Sequence, residues 1–339
     1  MIYVEKSAVN TGTVKLLDKK GIDYKIVDSD EEFEDKKSNI FVTYSRGTFL
    51  RPCPATKIYR CCNYHVFDIM EGCPFDCTYC ILQSYLNHEY IKVFADTDSI
   101  ERELLELNEK GRYRVGTGEL SDSLALDNIF EFSGLFIPIV NKLENIQFEF
   151  KTKSSNTSNL LNLNPKNIVI SFSVNTDFIS KTEEHKAGDM DKRLNAAKIL
   201  AEYGYKIGFH FDPIVIYDNC HKDYDNLIDK LFSSVDEQSV EFVSLSTFRC
   251  IPSLIDRIRE KFDRSILTKY DYIKGLDGKL RYFKPERIDI LNFVYKALRK
   301  NWRKAFIYFC MEHSTIWDKI IGYDPGERDI FENGFPWRK

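Results

Sequence analysis

Apolar positions along the chain alternate between two periods. Residues 65–70 (HVFDIM) form a short apolar run that stops at Gly72, and 99–110 then carries apolar residues at helical spacing. The same order, strand then helix, recurs at 113–116 before 126–143, 147–153 before 157–163, and 167–173 before 190–203. It continues at 206–212 before 224–233 and at 240–246 before 254–262. Six such β/α units predict a parallel sheet with helices outside, and chemistry at the C-terminal ends of the strands. That rim comprises 72–80, 116–122, Lys153, 173–175 and 210–213.

Flanking the series, residues 1–62 read as a small α/β region, 63–250 as the main α/β domain and 251–339 as a C-terminal extension. In the extension, 270–285 (YDYIKGLDGKLRYFKP) places two β-prone runs around Asp277-Gly278, the signature of a type I′ hairpin, and this hairpin is expected to project. A helix over 285–300 and a strand over 306–310 come after it. No internal repeat or low-complexity tract is present.

The apolar fraction of 43% in 339 residues is ample for a full core. No apolar run approaches the roughly 20 residues of a bilayer-spanning helix, and the start lacks the basic-then-apolar order of a secretory signal, so a cytoplasmic protein with no membrane partner is expected. A net charge of −4 argues against a protein that coats nucleic acid everywhere, yet from Arg257 to Lys304 basic residues outnumber acidic ones and are interleaved with aromatics.

Nine cysteines in a reducing compartment are thiols or metal ligands rather than a disulfide framework. Six of them, Cys53, Cys61, Cys62, Cys73, Cys77 and Cys80, crowd into one stretch, whereas Cys220, Cys250 and Cys310 stand apart. In CPFDCTYC, Cys73, Cys77 and Cys80 are spaced to wrap one face of a cubane and leave its fourth iron without a protein ligand. Thiolates also suit zinc; Cys61, Cys62 or His65 could close such a site.

C-x3-C-x2-C with an aromatic before the last cysteine, on the loop after the first strand of a β/α series, resembles the radical S-adenosylmethionine (SAM) superfamily. CTYCILQSYLN, SFSVNTDFI, RLNAAKILAEYGYKIGFHFDPI, IYFCMEHSTIW and the opening IYVEKSAVNT are similar to the spore photoproduct lyase family over nearly the whole chain. The resemblance implies a partial (β/α)6 TIM-type barrel, a [4Fe-4S] cluster on Cys73, Cys77 and Cys80, and reductive cleavage of SAM to a 5′-deoxyadenosyl radical that abstracts hydrogen from a DNA pyrimidine photoproduct. It implies a reducing partner such as flavodoxin or ferredoxin. It assigns Glu119, Ser121, Asp122, Lys153, Ser173 and Asn175 to SAM, Tyr79 to the radical relay, and Lys274, Lys279, Arg281 and Tyr282 on the hairpin to damaged DNA.

The chain departs from the family in two places. Glu119 stands where the family carries its hydrogen-donating cysteine, and Ile81 replaces a tyrosine beside the last cluster cysteine. Cys250 could supply the thiol instead, with Cys310 the weaker candidate. Glu183, Glu184 and Arg193 read as an ion-paired helix start, and His210 with Asp212 as a pair lining the rim or an interior hydrogen bond. Two alternatives remain: a radical SAM enzyme for another substrate (a modified base, peptide or metabolite), and a non-enzymatic iron–sulfur module that binds nucleic acid.

Overall fold

Alternating and continuous apolar runs become strands, each placed by what its buried face meets. The structure, a computed structural model, describes residues 1–44, 47–56 and 58–338. They form two compact units: Met1–Pro52, Tyr64–Pro74 and Tyr85–Ile168 make the first, and Cys53–Asn63, Phe75–Ser84 and Val169–Lys339 the second.

In the first unit the opening residues IYVE alternate between buried and half-buried, as one-sided strands do, and Ile2–Glu5 lies between Tyr24–Val27 and Ile40–Thr43 in a sheet that continues in parallel to Ile91–Phe94 and ends on the antiparallel Met70–Glu71. Helix Gly12–Lys19 crosses over this sheet, started by the Thr11 hydroxyl, which accepts from the Val14 N–H at 3.4 Å. The same unit holds Leu50–Pro52, His65–Phe67, Tyr113–Thr117 and Ile146–Thr152 side by side, the last three parallel.

Two expectations change here. The run over 65–70 is two strands in different sheets, His65–Phe67 and Met70–Glu71, parted at Asp68, whose carboxylate takes Arg51 at 2.5 Å. The single helix expected over 126–143 is two, Asp127–Phe130 and Phe132–Val140, because Glu131 between them adopts φ 50°, which no α-helix accommodates.

In the second unit Ile168–Ser173, Lys206–Ile214, Val240–Thr247 and Ile307–Phe309 run parallel, and the first three are buried along almost their whole length. Helices Met190–Tyr203 and Cys220–Ser234 pack together, and Lys284–Arg299 lies on the latter. Register places Ser173 opposite His210 and His210 opposite Ser244, so the strand ends that carry the expected chemistry are level. Among the described residues no helix is long and apolar enough to cross a membrane.

The hairpin forms, with strands Ile273–Lys274 and Leu280–Arg281, but its turn is not type I′. Gly278 alone of the central pair has positive φ (78°), and its N–H donates to Gly275 O at 3.0 Å, giving a five-residue connection.

Candidate active site

The cysteine loop opens on a residue that must be glycine. Gly72 has φ 88°, and a Cβ there would lie 2.9 Å from Tyr90 O. Its N–H donates to Leu120 O at 2.8 Å, so the start of the cysteine loop is tied to segment 116–122 within the first unit. Cys73 comes next, half-buried.

In the second unit Cys77 lies in a two-residue strand, Asp76–Cys77, antiparallel to Glu184–His185. The Cys80 N–H donates to Cys77 O at 3.1 Å, and the Gln83 amide donates to Cys77 O and Thr78 O at 3.1 and 2.9 Å. The Thr78 N–H donates to Glu183 O at 2.9 Å, and its hydroxyl to the Glu183 carboxylate, which also accepts from Ser265 Oγ (2.7 Å) and Ile266 N (3.0 Å). The Tyr79 hydroxyl donates to Glu184, whose other oxygen meets Arg193 at 2.6 Å. Burial, then the Glu184 charge, holds the Tyr79 phenol well above its ordinary value. Arg193 is fully buried and also donates to Gly188 O (2.6 Å) and Ser173 O (3.0 Å). The Glu184–Arg193 ion pair expected from the sequence is therefore present, but with Glu183 it braces the cysteine loop rather than merely starting a helix.

The nine cysteines are all free thiols. Among the described residues no three His, Cys, Asp or Glu side chains gather as they would round a single metal ion. Three thiolates on a cubane bind three different irons and need not meet at one point, so a donor set of three cysteines fits an iron–sulfur cluster. Cys61, a candidate fourth ligand, is buried beside Tyr59 and Met311; contact first with Cys53 and then with Cys62 pushes its thiol far above the ordinary range.

The acidic loop belongs to the first unit. Gly118 has φ 103°, and a Cβ there would lie 2.9 Å from Ser123 Oγ and 3.0 Å from Lys151 O, so the loop can lie flat on the next strand only as glycine. Arg51 joins two carboxylates, donating from Nη2 to Glu119 at 2.7 Å and from Nε to Asp68 at 2.5 Å. One cation against two carboxylates leaves a negative charge over, and among the described residues Glu119 Oε1 has no hydrogen-bond partner, so the group can accept an ammonium. Burial, the larger cause, raises the Glu119 carboxyl above its ordinary value, while Arg51 pulls it back.

Asp122 is buried and largely used by the chain itself. Its Oδ1 accepts from Leu124 N (3.1 Å), Ala125 N (2.9 Å) and Thr152 Oγ1 (2.7 Å), and its Oδ2 from Lys153 N (2.6 Å). It therefore fixes the loop to the end of Ile146–Thr152 and sets where Lys153 leaves the strand. Ser121 and Lys153 are half-buried beside it.

Ser173 ends its strand buried, and Asn175 is held at both ends: Nδ2 donates to Pro213 O (2.9 Å), and Oδ1 accepts from the Tyr224 hydroxyl and Thr176 N, each at 3.0 Å. His210 packs its ring on Phe242, and Asp212 lies 3.6 Å from Arg249. Cys250 is buried among Phe248, Leu254 and Tyr282, in an apolar cluster that Tyr79 and Ile81 also pack against, and burial pushes its thiol up to about 12.

The hairpin differs most from expectation. Lys274 is exposed and Lys279 half-buried, but Arg281 and Tyr282 are each 1% exposed and cannot approach DNA as surface groups. Arg281 is held by Asp277 at 2.8 Å and lies 3.9 Å over the Tyr59 ring, and the Tyr282 hydroxyl accepts from Ile216 N at 3.2 Å. Sequence reasoning missed Arg51, Asp68 and Gln83. A lone arginine in FLRPCP, flanked by apolar residues and prolines, was the one available signal for the first.

The chain matches the spore photoproduct lyase family over residues 59–320, a span that takes in both the cysteine loop and the acidic loop. It belongs to the spore photoproduct lyase family. Spore photoproduct lyase of Clostridium acetobutylicum is 26% identical over 293 residues, covering 83% of this chain and 85% of the relative. That of Bacillus subtilis is 25% identical over 244 residues and covers 68% of each. A solved spore photoproduct lyase mutant with bound AdoMet and dinucleoside spore photoproduct superposes with a TM-score of 0.79 at 22% identity, over 91% of this chain and 98% of that one. The fold is thus the partial TIM-type barrel expected. The family consists of radical SAM enzymes, with a [4Fe-4S] cluster and SAM as cofactors.

Proposed function

We propose that this chain is a radical SAM lyase that returns the spore photoproduct in DNA to two thymines. The observation that carries it is the hydrogen bond from Gly72 N–H to Leu120 O, which joins the three-thiol loop to the acidic loop of a family member. Cys73, Cys77 and Cys80 would hold the cluster through thiolates. Glu119 would take the SAM ammonium, and Ser121, Lys153 and Ser173 would line the rest of the cofactor, with Asp122 and Asn175 fixing the backbone around them. When bound, the two cofactors supply one-electron chemistry that ends in removal of a hydrogen atom from the substrate.

The chain's own residues shape the fate of the substrate. Tyr79 is fixed by Glu184, and Cys250 packs into the same apolar cluster with its thiol kept protonated, so it retains the hydrogen that a terminal donor must give. Lys274 and Lys279 would meet the DNA, and a small reductant such as flavodoxin or ferredoxin would supply the electron.

The test is anaerobic reconstitution with iron and sulfide, reduction with dithionite, and addition of SAM and DNA carrying the photoproduct, beside Cys77→Ala. Thymine restored by the wild type alone supports repair. SAM cleavage without thymine would move the chain to another substrate, a modified base, peptide or metabolite; the Glu119–Arg51 pair at the family cysteine's position favours that second reading.

A further inference from the structure

Strand Arg249–Cys250 directly follows Val240–Thr247, so it starts at the rim where a β/α sheet does its chemistry. It pairs antiparallel with Leu280–Arg281, placing Arg249 opposite Arg281. Residues opposite one another, and residues two apart on one strand, share a face, so Arg249, Arg281 and Lys279 stand together.

Their charges are unevenly matched. Arg281 is held by Asp277 at 2.8 Å, by the Met311 carbonyl at 3.3 Å and by the Tyr59 ring, with its buried Nε left without a hydrogen-bond partner among the described residues. Arg249 is deeply set: its Nη1 donates to the Ser246 hydroxyl and has Asp212 at 3.6 Å, a long ionic contact, while Glu312 nearby is taken by Arg287. Among the described residues Lys279 makes no side-chain hydrogen bond or ion pair, and burial together with Arg249 holds its ammonium below the ordinary value. Three cations therefore face two carboxylates, and the surplus lies between Arg249 and Lys279. A half-buried lysine beside an arginine is costly unless an anion completes the group.

We propose that Arg249 and Lys279 form an anion subsite that takes one backbone phosphate of the substrate strand, an inference that rests on the DNA-repair reading above. Arg249 supplies a planar fork for two phosphate oxygens, and Lys279 a point charge. With Arg281 and Tyr282 buried beneath, recognition on this hairpin falls to the face in front of Arg249 rather than to its tip.

The experiment is fluorescence anisotropy with a single-stranded thymidine oligonucleotide of about ten residues, titrated at several salt concentrations. One neutralised phosphate contributes about 0.7 to the slope of log affinity against log salt on single strands. Lys279→Gln and Arg249→Gln should each flatten the slope by up to about that amount and weaken binding about tenfold at low salt. Arg249→Lys should recover part of the slope, and Lys261→Gln, an exposed charge elsewhere in the second unit, should leave it unchanged. Lys279→Gln should fold at least as stably as the wild type, since it removes a strained charge; this keeps the test open if an Arg249 variant unfolds. An unchanged slope in Lys279→Gln, an equal loss in Lys261→Gln, or no binding by the wild type would overturn the subsite. Loss of slope in a protein that restores no thymine would leave the subsite standing and remove the repair reading alone.

Discussion

On the proposed assignment of Glu119 to the SAM ammonium, this is the residue on which cofactor binding and pH meet. Burial raises its carboxyl, and an ammonium binds only the ionised form, so SAM affinity should fall as pH drops through that raised value. Stability carries the opposite sign: between the unfolded and the higher folded value the folded chain holds more protons, so this group's contribution declines as pH rises through that window. Calorimetric titration with SAM from about pH 5 to about pH 8 should show the dependence in the wild type. It should be flat in Glu119→Gln, with affinity about tenfold lower at the upper end. Equal slopes in both would place the ammonium elsewhere. Asp122 shows why a sequence match to a pocket does not assign contact: its position was legible, but the three donors crowding Oδ1 come from Leu124, Ala125 and Thr152, and only folding brings the last of these there.

Among the elements, the short pairing of Asp76–Cys77 with Glu184–His185 does more than its length suggests. Through it the Glu184–Arg193 pair, with side chains 1% and 0% exposed, supports the loop that carries two of the three thiols proposed for the cluster. Removing one member of such a pair leaves a buried charge and costs about 3–5 kcal/mol. Arg193→Met should lower unfolding stability in urea by about that amount and reduce the iron retained per chain after reconstitution. Full iron content at that loss of stability would show the brace and the cluster to be independent. The strands and the helix over 190–203 were legible because their periodicity is local. The brace was not, because its partners are far apart in sequence and polar residues show no periodicity of their own. The hairpin misled for the same reason: a run of charges reads as a surface, and nothing in YDYIKGLDGKLRYFKP shows that Tyr59 lies under Arg281.

For the whole molecule, the cysteine spacing and the β/α order were enough to read the fold and the cofactors, and family membership bears both out. The source of the final hydrogen is a different matter, because the resemblance puts Glu119 where the family is expected to carry its donor cysteine. If Cys250 supplies it, Cys250→Ala should continue to cleave SAM within about twofold of the wild type while thymine release drops about tenfold or more. Undiminished thymine release would assign the hydrogen to another group. A modest net charge of −4 is compatible with DNA as substrate because attraction is needed at one face only.

The bond from Gly72 to Leu120 has a thermodynamic side. If the two loops hold iron and SAM as proposed, they share one hydrogen bond, so a shift in either is felt by the other, and linkage requires that the effect be mutual. SAM should therefore slow the escape of iron to a chelator, and the factor by which it tightens the cluster should equal the factor by which the cluster tightens SAM. The two cofactors would then load as a set, and a half-assembled chain would be the scarce species.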